Sequence, residues 1–307
     1  MRSHWQARLA SFILVAVVLA ALAGWIHAYV LTPHWYRKAV EQGIAALAKD
    51  PSYATSLKEI ASLPESEKAT KVGSLIAYNA DLLPPDERIK IAQDAFALAI
   101  YLGDARARIE YGDALRLGKL GEPDAAAAAE QFALAVKELR GPAAMGDARA
   151  AYAYAKLLAT GRGVEQDQPG AVRLVKLAYK ELPESDLLEI FWAASQASGI
   201  FAAVDKETAL AVALLLSEKG KPVSMNLVAD ICEKEFRPAI TKAVARGKDA
   251  LEAGADVLYL KKVAEQLDDA NADLNDCAIE ALQPFAKAGN ADAASLMGVY
   301  ASRQAHP

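Results

Sequence analysis

The chain is poor in the residues that most protein chemistry uses. Histidine occurs four times, at His4, His27, His34 and His306, with none between Trp35 and Ala305. That excludes a Ser-His-Asp or Cys-His pair, or a histidine-ligated metal, within the body of the chain. There are two cysteines, Cys232 and Cys277, too few for a disulfide-built scaffold. Glycine, at 18 of 307 residues, is too rare for collagen. Aromatic residues are only 7%, and strand formers are scarce beside alanine. Excess positive charge is missing too. The 34 Lys and Arg are outnumbered by 39 Asp and Glu, for a net charge of −5, so binding nucleic acid by phosphate neutralisation is not expected. No phosphate-binding glycine loop, H-E-x-x-H or G-x-S-x-G motif occurs. The sequence therefore predicts no enzyme, no cofactor and no metal.

What is abundant is alanine, 67 residues of it, within a 53% apolar composition. Alanine is the best helix former and lets helices approach closely. The composition predicts an all-α protein.

The longest apolar run, Leu9 to Leu31, contains no charged residue. As a helix it would span about 34 Å at ~1.5 Å per residue, enough for a ~30 Å hydrocarbon layer. Trp5 precedes it, and Trp25, Tyr29, Trp35 and Tyr36 mark its far end, as an aromatic belt would. Residues 1–8 then form a cytoplasmic tail and 9–31 a transmembrane helix, with everything after it exported to the periplasm. A cleaved signal peptide ending at Ala21-Leu22-Ala23 is the alternative. Ala16, Ala20, Gly24 and Ala28 recur every four residues, a stripe that suits close packing with a partner membrane helix. In an oxidising compartment Cys232 and Cys277 can pair; buried as thiols, they would serve as small hydrophobes.

The body repeats itself. Gly103-Asp104-Ala105-Arg106-Ala107 matches Gly146-Asp147-Ala148-Arg149-Ala150, 43 residues on. At the same offset Tyr111 meets Tyr154, Gly118 meets Gly161, Asp124 meets Asp167, and Ala128 meets Ala171. A third copy follows after 38 residues, where Gly199, Asp205 and Ala209 answer Gly161, Asp167 and Ala171. Phe96-Ala97-Leu98-Ala99 echoes Phe132-Ala133-Leu134-Ala135, and Gly289 opens a last partial copy. Each copy predicts two helices. Asp104 or Asp147 caps the first. A glycine turn at Gly118–Gly121 or Gly161–Gly163 ends it. Asp124, Asp167 or Asp205 starts the second, whose stripe is Ala128/Phe132/Ala135 or Ala171/Leu174/Val175/Ala178. Neither helix can bury its stripe alone, so copies should stack. On the flanks, helices should break at Pro51 and Leu63-Pro64, and a new one should open at Pro84-Pro85. Late helices are expected near Val223–Phe236, Pro238–Arg246 and Lys248–Asp269.

The stretch from Ala148 to Tyr179, with Gly161-Arg162-Gly163-Val164, then Asp167 and Ala171, resembles the Sel-one-like repeat, a subclass of the tetratricopeptide-like α/α repeats. The resemblance covers about residues 86–220, flanked by a helical part at 32–85 and another at 221–307. It implies a right-handed α-solenoid used for protein–protein contact, with the first helix of each pair lining the inner surface. Arg106, Glu110, Asp113, Arg149, Tyr152 and Lys156 are the exposed binding candidates there; an Arg106–Glu110 salt bridge is the plainer alternative. Trp192 is expected to be buried. Asp268, Asp269, Asp273 and Asp276 read as a solvated charge run near a loop, without the spacing of a calcium loop.

Taken together, these features predict a single-pass scaffold anchored in the inner membrane. Its periplasmic repeats would hold other envelope proteins together, as similar proteins do in polysaccharide export or biosynthesis. The alternative is a periplasmic regulator that binds a sensor kinase or other membrane signalling protein.

Overall fold

A computed structural model describes residues 32–79, 81–195, 200–201, 203–252 and 257–305. Leu9–Leu31, with the small-residue stripe Ala16, Ala20, Gly24 and Ala28, lies outside them, as does Gly199. No helix of the described residues is long and apolar enough to cross a membrane.

The described residues form helices and turns without a strand, so the protein is all-α. The helices are α1 (Thr32–Leu47), α2 (Ala54–Ser62), α3 (Glu65–Tyr78), α4 (Pro85–Tyr101), α5 (Arg106–Arg116) and α6 (Ala125–Ala144). After them come α7 (Ala148–Thr160), α8 (Gln168–Ala178), α9 (Glu184–Ser195) and α10 (Lys206–Glu218). Last are α11 (Met225–Glu252), α12 (Val257–Lys287) and α13 (Ala291–Ala305). The chain divides into two compact units. One runs to Leu139 and takes in Arg162–Val164; the other comprises Arg140–Gly161 and Glu165 onward.

The Gly-Asp dipeptide that marks the repeat closes one helix and opens the next. Gly103, at φ +87°, ends α4. Its N–H reaches Ile100 C=O at 3.0 Å, and Asp104 N–H reaches Ala99 C=O at 2.9 Å. These are the paired bonds of a Schellman turn, which needs a left-handed residue that only glycine adopts without strain. Gly146-Asp147 ends α6 in the same way, with bonds to Ala143 and Pro142, and Gly289-Asn290 ends α12 with bonds to Ala286 and Phe285. The side chain then turns forward. Asp147 accepts from Ala150 N–H at 2.8 Å, and Asn290 from Ala293 N–H at 3.0 Å. The second helices start likewise, Asp124 on Ala127, Asp167 on Gly170 and Asp205 on Thr208. Each such cap is worth about 1 kcal/mol.

Asp104 departs from the expected cap. α5 begins only at Arg106, with Ala105 at its cap position. The Asp104 carboxylate accepts from the backbone N–H of Arg106 at 3.2 Å, two residues on, and also from Arg106 Nε and from Thr70 Oγ1 of α3 at 2.7 Å.

The expected stripes are buried at Ala128, Phe132 and Ala135, then at Ala171, Val175 and Ala178, with Leu174 half-buried. The sequence reading missed what they pack against. In the first unit each first helix offers a glycine to a phenylalanine of the second. A Cβ on Gly73 of α3 would lie 3.0 Å from the Phe96 ring of α4, and one on Gly112 of α5 2.6 Å from the Phe132 ring of α6. Forty-three residues past Gly112 and Phe132 stand Ala155 and Val175, both fully buried. The later copy thus carries alanine and valine at the positions that glycine and phenylalanine hold in the earlier one.

In the second unit α9 packs on α10, and the long helices α11 and α12 pack on each other and on α13. Cys232 of α11 and Cys277 of α12 are joined in a disulfide, Cα to Cα 5.9 Å. The predicted break at Pro238 does not occur. α11 runs through it, as α12 runs through Pro284. Proline in a helix removes one N–H and crowds the preceding turn. Here Pro238 sits on the solvent side while Ile231, Cys232 and Ala243 keep the buried stripe going across it. The helices expected as Val223–Phe236, Pro238–Arg246 and the start of Lys248–Asp269 are thus mostly one helix.

Candidate protein-interaction surface

The residues proposed as exposed contacts on the first helices are mostly engaged within the protein. In the first unit α3 and α5 lie side by side, and a row of polar bonds joins them. Arg106 Nε donates to Asp104 at 3.0 Å, and its other end lies 3.5 Å from Glu67. Burial works against the Arg106 charge, but Asp104 and Glu67 more than offset it and raise its pKa above the usual value. Glu110 does not pair with Arg106 as anticipated; it accepts from Ser74 Oγ of α3 at 3.1 Å. Asp113 takes Arg116 at 3.1 Å and Arg162 at 2.6 Å. The Arg162 guanidinium also stacks over the Phe132 ring, 5.5 Å from its centroid. Tyr78 closes the row, its hydroxyl raised in pKa by burial and by the charges of Asp113 and Glu110.

In the second unit Tyr152 is not exposed; it is 4% accessible. Its hydroxyl donates to Glu189 of α9 at 2.8 Å, and its ring lies 5.3 Å from that of Phe201. Burial first, then the charges of Glu189 and Asp186, push that hydroxyl far above the usual tyrosine pKa. Lys156, one turn on, donates to the same Glu189 oxygen at 3.1 Å. Arg149 alone of the four main candidates falls among the exposed residues. The polar face of the first helices is therefore largely an internal seam that sets how neighbouring first helices stack.

Trp192, expected in the core, is 59% exposed. Leu187, Ile190, Phe191 and Ala194 form the buried stripe of α9, and position 192 falls off it. Asp268, Asp269, Asp273 and Asp276 lie exposed within α12, not beside a loop. Among the described residues no group of three or more His, Cys, Asp or Glu is placed to hold a metal ion.

Two open clefts in the second unit went unread in the sequence, because their walls come from separate helices. One, of about 650 Å³, lies between α8, α10 and α11. Its charges are paired: Lys176 bonds Asp205 at 2.9 Å, and Lys206 bonds Glu235 at 2.9 Å. Burial alone would raise the Asp205 carboxyl, but bonds from Lys176 and Thr208 outweigh it and hold it below the usual range. The other cleft, of about 640 Å³, lies between the end of α9 and the middle of α11.

No protein-family profile and no curated relative matches the chain. Among the solved structures similar to it are two repeat proteins. One is a protective antigen of uropathogenic Escherichia coli displaying an SLR fold, at 17% identity and TM-score 0.34, covering 79% of this chain. This chain spans 58% of that antigen's length. The other is a Sel1 repeat protein from Oxalobacter formigenes, at 17% identity and TM-score 0.33, covering 84% of this chain and 86% of its own. No activity or partner is carried from either to this chain.

Proposed function

We propose that the chain is a Sel-one-like, right-handed α-solenoid scaffold, anchored in the inner membrane by residues 9–31, whose periplasmic part binds other proteins of a cell-envelope assembly. Polysaccharide export or biosynthesis is the process it would serve. The observation that supports this reading best is the recurrent unit itself. A Gly-Asp or Gly-Asn junction, an alanine-rich first helix and an Asp-capped second helix return along the chain. Such units stack through neighbours alone and leave long faces for partners. The disulfide supports a place outside the reducing cytoplasm.

Protease added to spheroplasts tests the topology. The chain should be digested down to its membrane segment while cytoplasmic proteins survive. Full protection until the membrane is lysed would refute the exported arrangement.

A further inference from the structure

The two clefts of the second unit are nearly equal in volume and differ in charge. In the first, three lysines face three carboxylates, with Lys176 on Asp205 and Lys206 on Glu235. In the second, Lys234, Arg237 and Lys242 face one carboxylate, Asp230. Lys234 borders both clefts. In a chain of net charge −5, this is a local excess of positive charge on a concave surface, where walls of low dielectric strengthen the field.

We propose that the cleft between α9 and α11 takes a carboxylate-bearing peptide segment of a protein partner, an inference that rests on the scaffold reading above. The three cations occupy positions i, i+3 and i+8 of α11, which places them along one side of the helix. Lys234 is held in place, its ammonium donating to Ala194 C=O at 3.5 Å. It is half-buried, and burial lowers its pKa. Arg237 bonds Glu233 at 2.7 Å. Lys242 is exposed and makes no ion pair among the described residues.

The cleft also carries acceptors, which distinguish a peptide from a bare anion. Ser195 Oγ donates its hydrogen bond to Trp192 C=O at 3.0 Å and lines the cleft with its lone pairs as an acceptor. Asp230 is a second acceptor beside it. A phosphate ion offers these acceptors at most an O–H or two at one point, whereas an extended peptide offers a row of backbone N–H groups. A peptide brings backbone N–H groups together with acidic side chains and satisfies both kinds of group.

The test uses the full-length chain in mild detergent and a short fluorescein-labelled peptide of alternating glutamate and serine, read by fluorescence anisotropy. Saturable binding is expected, weakening several-fold between about 0.05 and about 0.3 M salt as screening grows. Lys234→Met keeps the aliphatic stem and should weaken binding at least about tenfold. Lys242→Glu, at an exposed site that leaves the core alone, should do the same. Lys206→Gln in the neighbouring cleft should change it less than about twofold. Thermal unfolding of each variant checks that it is folded. The proposal is overturned if the acidic peptide shows no saturable binding, if a lysine–serine peptide binds as well, or if millimolar inorganic phosphate displaces the peptide. It is overturned too if both α11 variants bind like the parent. A stable envelope partner that ignores both variants would leave the scaffold reading standing and refute only the cleft.

Discussion

Replacing Gly163 by alanine tests the repeat's packing at the point where it is tightest. Gly163 lies at φ +67°, where an L side chain is strained, at a cost of roughly 1–2 kcal/mol. Its new Cβ would also stand 2.5 Å from Phe132 C and 2.6 Å from Ala133 N. Those are backbone atoms in the middle of α6 and cannot swing aside like a side-chain end, so overpacking adds about 1–3 kcal/mol. The sum is about 2–5 kcal/mol. Gly146→Ala is the control: its φ is +91°, but nothing lies within 4 Å of its Cβ, so it should lose only the roughly 1–2 kcal/mol of strain. Urea unfolding followed by far-ultraviolet circular dichroism gives both numbers; if the two units unfold in two steps, Gly163→Ala is read in the transition of the first unit and Gly146→Ala in that of the second. A Gly163→Ala protein as stable as Gly146→Ala would refute the claim that the Gly-x-Gly turn rests on the backbone of α6.

Three further outcomes follow from named contacts. Replacing Cys232 and Cys277 with alanine opens a loop of 45 residues and should cost about 2–4 kcal/mol of stability in calorimetry, as should adding reductant to the parent; a stability unchanged by both would show that the bond contributes nothing. Tyr152→Phe should cost about 1–2 kcal/mol, the loss of a hydrogen bond to a charged group; a stability unchanged in urea would return Tyr152 to the list of partner contacts. For Asp205, the folded carboxyl sits below the usual range, so its stabilisation is fully present above the unfolded value near pH ~4 and is lost as pH falls through the folded one. Asp205→Asn keeps the cap but not the ion pair with Lys176. The parent should therefore exceed it in stability at neutral pH, and the gap should close in acid; a gap constant from pH ~7 to ~2 would contradict this.

The capping chemistry was legible because it is local. Gly103-Asp104 and Gly146-Asp147 stand next to each other in the chain, and the dihedral that glycine permits and the donor that aspartate satisfies lie within a few residues. The buried stripes of α6 and α8 were legible for the same reason. Gly73 and Gly112 were not, because a helical glycine acquires meaning only from the ring opposite, though the echo of Phe96 in Phe132 was a signal that pointed there. Tyr152 misled because a hydroxyl suggests solvent; Glu189, 37 residues away, satisfies it inside. Trp192 misled in the other direction, since its size suggests burial while its place on α9 puts it outside. Pro238 suggests a break, yet an exposed proline leaves the buried face of α11 continuous. The clefts could not be read from sequence at all, since their walls meet only once α8, α9, α10 and α11 are packed.

The claim that most needs testing is that this chain works by holding another protein. The full-length chain should be purified from membranes in mild detergent, its companions identified by mass spectrometry, and the complex rebuilt from the two separately purified proteins. The account predicts a stable complex of fixed stoichiometry with another envelope protein, surviving size-exclusion chromatography. A chain that elutes alone under conditions that preserve other envelope complexes, and a rebuilt mixture that separates into its parts, would contradict it.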